Sequence, residues 1–465
     1  MSTVTYQAPG LLAAGPDLGL VGDGLTVPLV TGEVRRFANL DHAASAPCLR
    51  TVKAAVDEFL PWYASVHRGA GFPSQVATAA YEGAREAVRS FVRARPDDAV
   101  VFTRNTTEAV NVLAAALPPD AGVLAFAVEH HADLLPWRRR RLTTLPVPGS
   151  PEQALEMLAA ALAAASGAVR LVAVTGASNV TGEVWPYPEI AALAHAHGAR
   201  VLLDAAQLVA HRPVDVATSG VDYLALSGHK LYAPFGAGAL VGRADWLRRG
   251  EPLLAGGGAV RYVTVDSVLW ADPPDRHEAG SPNVVGAVAL GVACRTLQAA
   301  GMDTVAAAEA VLLGDAAARL AAVPGVRLLR TWPVGNPRIG VLPFTLDSMA
   351  YAQVAAVLSA EHGIGVRHGC FCAHPLVAHL LGVDAATDRR IQEQLRTGAT
   401  APLPGAVRAS VGLGTSAGDL DRLVDAVGTI ARDGPRWTYR SSPDGTDCRP
   451  DPDPRPWPCL TAEFG

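Results

Sequence analysis

Between about residues 100 and 240 the apolar positions come in short unbroken runs: AVVFTR (99–104), GVLAFAV (122–128), RLVAVTG (170–176), RVLLDAA (200–206), YLALSG (223–228) and GALVGR (238–243). Runs of that length, apolar throughout, read as strands covered on both faces. The stretches Pro151 to Ser166 and Tyr187 to His197 read as crossover helices between them. This part of the chain therefore predicts an α/β layer with a largely parallel sheet. In such sheets ligands collect outside the carboxyl ends of the strands, so the residues that follow each run are the first place to look for chemistry.

After about residue 310 the rhythm changes. A helix near 306–322, strands near 325–330 and 338–345, a helix near 350–362, a strand-like VRAS and a helix from Ala417 to Ala431 predict a smaller α+β domain. From Asp433 onward the chain is rich in Pro and Asp, the composition of a segment that wraps a domain or stays unstructured; Trp437, Tyr439 and Trp457 favour wrapping. The expected division is an N-terminal arm (1–36), a large domain (37–305), a small C-terminal domain (306–432) and a tail (433–465). A length of 465 residues agrees with more than one domain.

Composition narrows the partners. With 49% hydrophobic residues, 18% charged residues and a formal charge of -5, nothing points to nucleic acid or to an anionic membrane, and the run Arg138 to Arg141 reads as a solvated basic face. The apolar stretch Met157 to Val169 is too short to span a bilayer. The opening MSTVTYQAPG has neither a positive n-region nor an apolar h-region, so a cytoplasmic location is expected. Six cysteines, at 48, 294, 370, 372, 448 and 459, are too scattered for a disulfide framework. Cys370 and Cys372 form a C-x-C pair, but no second pair stands at metal-ligand spacing, and no metal is expected.

Of the 39 Lys and Arg positions, two are lysine: Lys53 and Lys230. Lysine, unlike arginine, can lose its proton and act as a nucleophilic amine that forms a Schiff base. Lys53 sits in the polar register of TVKAAVDEFL, as a surface lysine would. Lys230 instead follows a buried strand, in SGHKLYAPFGAG, where a turn precedes a Gly/Pro loop.

A Schiff-base lysine on an α/β sheet suggests pyridoxal phosphate, and the other requirements of that cofactor can be sought at the strand ends. Asp204 can face the pyridine nitrogen, and Gln207 can donate to the ring hydroxyl. Thr106 and Thr107, between a strand and a helix, suit the phosphate, with Ser227 and His229 as further donors. His130 offers a flat partner for the ring, and Asn179 sits at the next strand end.

These residues lie in segments that together resemble the class V aminotransferase group: LDHAASAP (40–47), SVHRGAGFPSQVATAAYEGAR (65–85), FTRNTTEAVN (102–111), EHHADLLPW (129–137), SNVTGEVWP (178–186), LLDAAQ (202–207), SGHKLYAPFGAG (227–238), EAGSPN (278–283) and VRHGCFCAHPL (366–376). Within it the chain is most similar to cysteine desulfurases and selenocysteine lyases of the sulfur-assembly type. The resemblance covers about residues 36 to 430. It implies the pyridoxal-phosphate fold type I, with a mostly parallel seven-stranded sheet in the large domain. It also implies that Lys230 carries the cofactor, Asp204 keeps the pyridine nitrogen protonated and His130 stacks on the ring and serves catalysis. Thr107, Ser227 and His229 become phosphate ligands and Gln207 the donor to the ring oxygen. Ser281, in the EAGSPN loop, would reach a neighbouring subunit's phosphate site, which implies a homodimer. Arg367 would clamp the substrate carboxylate, with Asn179 and His42 as further substrate contacts.

In this family the nucleophilic cysteine lies five residues after the clamping arginine. That position is Cys372, with Cys370 as an extra thiol. The implied reaction takes sulfur from L-cysteine, or selenium from selenocysteine, as a persulfide on Cys372 and releases alanine, with a sulfur-acceptor protein as a further partner. Aminotransferases, epimerases and other lyases share the scaffold and are the alternative. The chain departs from the family pattern at Asp133, where asparagine is usual, in a longer charged segment from Gly382 to Pro404, and in the tail beyond 433.

Overall fold

A computed structural model describes residues 18–458. The six apolar runs form strands Asp98–Thr103, Gly122–Phe126, Val169–Thr175, Arg200–Asp204, Tyr223–Ser227 and Gly238–Arg243, and a seventh, Arg141–Leu145, joins them. Across the sheet the order is 98–103, 238–243, 223–227, 200–204, 169–175, 122–126, 141–145. Gly238–Arg243 runs antiparallel to both neighbours, and the strands from 223–227 outward to 141–145 are parallel. Successive side chains of these strands enter opposite layers. Val172, Val174, Val201 and Leu203 pack on one face, while Leu171, Ala173 and Leu202 pack on the other. That two-sided burial explains why the runs are apolar without alternation. The seventh strand, RLTTL, is half exposed at the sheet edge and has no such signature.

The second unit is built on an antiparallel sheet in the order 326–328, 341–346, 406–410, 367–369. Helices Met302–Ala321, Tyr351–His362 and Ala417–Asp433 close its core. Ala38–Asn39 pairs in parallel with Ile364–Gly365, and Ala38 and Leu40 are buried in that core. The segment just after the N-terminal arm thus packs with the C-terminal unit before the chain enters the large sheet. Helix Ala417–Asp433 starts at a capping box between Ser416 and Asp419, and the Asp419 carboxylate also receives Arg36 at 2.8 Å.

The segment after Gly382 forms a helix, Ala385–Arg396, with no buried residue. The tail folds back as a hairpin of Tyr439–Ser441 with Cys448–Pro450. It is fastened to the end of helix Tyr351–His362, where the buried Glu361 carboxylate accepts Arg436 N–H (3.0 Å), Trp437 N–H (3.1 Å) and the Tyr439 hydroxyl (2.9 Å).

Candidate active site

A cleft of about 770 Å³ opens where the strand ends of the large sheet meet the second unit. The segments following strands 98–103, 122–126, 169–175, 200–204 and 223–227 line one side, and residues 367–372, His374, Pro404 and Arg408 line the other. Asp444 and Thr446 of the tail hairpin complete the rim.

Lys230 stands at the floor. Glycines let its loop fold tightly: a Cβ on Gly228 would lie 2.7 Å from the Ala237 carbonyl oxygen, and one on Gly238 would lie 2.5 Å from that of Leu226. Removal of its amine from water lowers the Lys230 pKa to about 8, against the pull of Asp204 and with a push from Arg408. A lysine in that range keeps an appreciable neutral, nucleophilic fraction near neutral pH. Asp204 is 5% exposed. Its Oδ1 accepts Ala206 N–H at 2.9 Å, and burial raises its pKa against the effects of that bond and of Lys230. Gln207 donates to the Ala43 carbonyl at 2.8 Å, which joins segment 40–47 to the cleft.

Helix Thr106–Ala116 points its N-terminus at the same space. Asn105 caps it by accepting Glu108 N–H. Ser227 Oγ accepts both Thr106 N–H (2.8 Å) and the Thr106 hydroxyl (3.0 Å), which leaves the Ser227 proton free to donate. Thr107 is exposed beside it, and His229 lies 3.3 Å from the Ser45 hydroxyl through Nδ1. Helix dipole, hydroxyls and imidazole together form an anion site.

His130 Nδ1 accepts Ala132 N–H at 3.0 Å, so Nε2 carries the proton of the neutral ring. Burial, then the charges of Lys230, His131 and Arg408, lower its pKa to about 3. It is therefore a neutral donor in the working pH range. Behind Asp204 lies a pair of fully buried carboxyls, Glu129 and Asp133. Glu129 accepts Thr175 N–H (3.1 Å), and Asp133 accepts the Trp137 indole N–H (3.1 Å). Burial holds both well above the ordinary carboxylate range, helped at Glu129 by the charge of Asp133 and at Asp133 by that of Asp204.

The two thiols of the sequence pair sit on a tight turn. Ala373 N–H donates to the Cys370 carbonyl at 2.9 Å, and Phe371 and Cys372 both have φ of 55°, the arrangement of a turn with two left-handed central residues. That conformation costs a residue with a Cβ about 1 kcal/mol or more, and the surroundings enforce it. Asn179 donates its amide to the Phe371 carbonyl (2.7 Å), His131 N–H donates to the Cys372 carbonyl (2.8 Å), and the Arg408 guanidinium lies 4.9 Å from the Phe371 ring centre. Arg408, 3% exposed, donates to the Asn179 carbonyl (2.7 Å) and lies 3.5 Å from Asp41 Oδ1; its Nε is unpartnered. Arg367 reaches Asp41 Oδ2 at 3.1 Å from the more open side. Two guanidinium groups share one carboxylate, which leaves a positive charge in the cleft.

Residues 38–423 match the family model described as aminotransferase class-V. The chain belongs to this family. It is 39% identical over 409 residues to a cysteine desulfurase of Dickeya dadantii, covering 85% of this chain and 92% of that one. It is 37% identical over 357 residues to a probable cysteine desulfurase of Mycolicibacterium paratuberculosis, of which it spans 51%. Among solved structures it is similar to the apo structure of a cysteine desulfurase from Thermococcus onnurineus, with a TM-score of 0.74 at 30% identity, covering 85% of this chain and 95% of that one. Class-V aminotransferases and cysteine desulfurases are pyridoxal-phosphate-dependent enzymes.

The donor set of this member of the class-V family fits that cofactor. A half-buried lysine, a buried carboxylate with no charged neighbour except Lys230 to offset it, and an anion site at a helix N-terminus converge on one cleft. Of the residues singled out in the sequence, Lys230, Asp204, Gln207, Thr106, Thr107, Ser227, His229, Asn179, His130, Arg367 and Cys372 all line it. His42 and Ser281 do not. His42 is buried beside Tyr232, with ring centres 6.3 Å apart, and packs on Gly412, while its neighbours Ala43 and Ala44 face the cleft. Ser281 is exposed in a second hollow with His67 and Arg68. Arg408 also lines the cleft, and the sequence offers it only as a lone charge inside the apolar AVRAS strand.

Proposed function

We propose that the protein is a pyridoxal-phosphate-dependent cysteine desulfurase that takes sulfur from L-cysteine on Cys372 and releases alanine. The observation that carries this reading is the exposed Cys372 thiol on a rigid turn facing the cleft that holds Lys230. A transaminase has no use for a nucleophile there. The names of its relatives point the same way.

Lys230 would hold the cofactor, Asp204 would face its ring nitrogen, His130 its ring face, Gln207 its ring oxygen, and Thr106, Thr107, Ser227 and His229 its phosphate. Bound there, the cofactor supplies an electron sink for the substrate's α-carbon. The chain's own residues do the rest. Arg408 and Arg367 orient the substrate carboxylate, and the planar fork of Arg408, with Nε unpartnered, suits that group. Lys230, its pKa lowered to about 8 by burial, can take and return a proton at the α-carbon. Cys372 attacks the substrate sulfur as a thiolate; the S–S bond forms as the C–S bond breaks, leaving a persulfide on Cys372 and, after protonation, alanine.

Ser281, on an exposed loop, is suited to contact a second copy of the chain, and a homodimer belongs to this reading. So do division near residue 305, selenocysteine as a further substrate and an external sulfur acceptor. A cytoplasmic location also belongs to it; among the described residues no single helix is long and apolar enough to cross a membrane. The reading is tested by feeding L-cysteine to the loaded enzyme and to Cys372→Ala and identifying products by mass. Alanine and a persulfide from the parent, and neither from the variant, are expected. Pyruvate in place of alanine, or undiminished alanine from the variant, would overturn it.

A further inference from the structure

The C-x-C pair contains a second thiol, Cys370, for which the reaction above has no use. It does not face away from the chemistry. Cys370 and Cys372 occupy the first and third positions of one β-turn, and both line the cleft. Cys370 is partly buried, and the His374 imidazole, which lines the cleft with it, is near enough to act on its thiol. The first turn of helix His374–Leu380 brings that imidazole to the pair. His374 in turn stacks on His131, with ring centres 5.1 Å apart and planes 11° apart, and its Nδ1 lies 3.3 Å from His131 Nε2. His131 is itself fixed by donating its N–H to the Cys372 carbonyl. The other described cysteines, Cys48, Cys294 and Cys448, lie outside the cleft.

We propose that Cys370 is a second sulfur-carrying site, which takes the sulfane sulfur from a persulfide on Cys372 and holds it against His374. The proposal rests on the desulfurase reading of Cys372. The step is a thiol–persulfide exchange. The Cys370 thiolate attacks the terminal sulfur of the Cys372 persulfide, a new S–S bond forms at Cys370 as the old one breaks at Cys372, and the Cys372 thiolate leaves with the electron pair. No oxidant or reductant is consumed, and Cys372 is restored for another substrate.

The environment favours the thiolate at Cys370. Partial burial alone would raise its pKa, but the neighbouring His374 imidazole and Cys372 N–H lower it overall. His374 moves the opposite way, upward, chiefly through the neighbouring Cys370 thiol, as expected of an ion pair in formation. A thiol with a larger thiolate fraction is the better attacking group in exchange. The rigid turn keeps the two sulfurs on one short segment, so the exchange needs no movement of the domains.

The test is the position of the persulfide. Loaded enzyme is given one equivalent of L-cysteine, quenched in acid, alkylated and digested, and the peptide holding both thiols is fragmented on either side of Phe371, with alanine measured in the same sample. The parent is expected to carry sulfane sulfur on both Cys370 and Cys372. Cys370→Ser should carry it on Cys372 alone, and His374→Ala should lower the Cys370 share by about threefold or more, because loss of the imidazole lowers the Cys370 thiolate fraction. Alanine together with a persulfide confined to Cys372 in the parent would overturn the transfer and leave the desulfurase reading standing. A Cys372→Ser variant that still forms alanine and a Cys370 persulfide would overturn it too, because Cys370 would then be the direct nucleophile. Absence of alanine from the parent would overturn the reading itself.

Discussion

Asn179 donates its side-chain amide to the carbonyl of Phe371 at 2.7 Å, so the loop after strand Val169–Thr175 grips the turn that carries Cys372. The bond spans the cleft from the large sheet to the second unit. It also ties the side chain that the sequence offers for cofactor and substrate contacts to a backbone group. Its energetic role is to keep two non-glycine residues at φ of 55°.

Asn179→Ala should therefore impair the thiol more than the fold. One buried hydrogen bond is worth about 1–3 kcal/mol when its partner is left unsatisfied, a modest shift in thermal unfolding. Displacement of the nucleophile should lower alanine production from L-cysteine about tenfold to a hundredfold, while cofactor absorbance stays. Unchanged turnover would show that the turn holds its shape without this contact.

Lys230 sets a pH dependence on cofactor loading. Its pKa is lowered to about 8 by burial, and only the neutral amine can bond to an aldehyde. Below that value the neutral fraction falls about tenfold per pH unit. The rate at which cofactor-free protein captures pyridoxal phosphate, followed by absorbance, should rise with that slope up to about pH 8 and level off above it. A profile still rising at pH 10 would place the amine in ordinary solvent. Lys230→Arg should show no covalent capture at any pH.

Asp133 marks the departure from asparagine noted in the sequence, and its surroundings explain why the change is tolerated. It is fully buried against Glu129 and accepts from Trp137, and burial and the neighbouring Asp204 raise its pKa. A carboxyl with a raised folded-state pKa contributes its full stability below the unfolded value of 3.8, and that contribution is lost as pH rises toward the folded value. Asp133→Asn keeps the acceptor for Trp137 and removes the proton linkage. In chemical denaturation the variant should gain stability relative to the parent as pH rises from the unfolded carboxyl value of 3.8 toward neutrality. A constant difference across that range would show that Asp133 does not titrate with folding.

What the chain displays in its sequence follows from how each feature is buried. Strands such as Val169–Thr175 and Arg200–Asp204 are covered on two faces, and their apolar runs announce them; Arg141–Leu145, at the edge and half exposed, does not. Asp204 and Ser227 end their strands and Lys230 follows one, so all three could be placed from that fact alone. Arg408 lies inside a strand, and its place in the cleft depends on how the small sheet packs against the large one. The left-handed backbone at Phe371 and Cys372 leaves no trace in residue type, because neither is glycine. His42 and its neighbour Ala43 take opposite sides of one short segment, a distinction set by packing on Gly412.

The tail offers the last prediction, because it reaches the cleft from outside the shared family region, which ends at residue 423. Asp444 and Thr446 stand on the rim only while the hairpin 439–450 is fastened, and Glu361 fastens it with three donors. Asp444 is itself oriented by the Ser442 hydroxyl (2.6 Å) and Thr446 N–H (3.1 Å), so the turn presents a fixed carboxylate to the opening. Glu361→Ala would leave two backbone N–H groups and a hydroxyl without their acceptor, a loss of about 1–3 kcal/mol for the most buried of them. Limited proteolysis should then cut between residues 434 and 450 at a protease concentration that spares the parent. The KM for L-cysteine should rise about threefold as the rim opens, with kcat changed less, because the groups around Lys230 are untouched. Tyr439→Phe removes a single donor and should fall between the two. Equal protease resistance in parent and Glu361→Ala would mean that the hairpin is held by the rest of its contacts, and the rim would then be independent of this carboxylate.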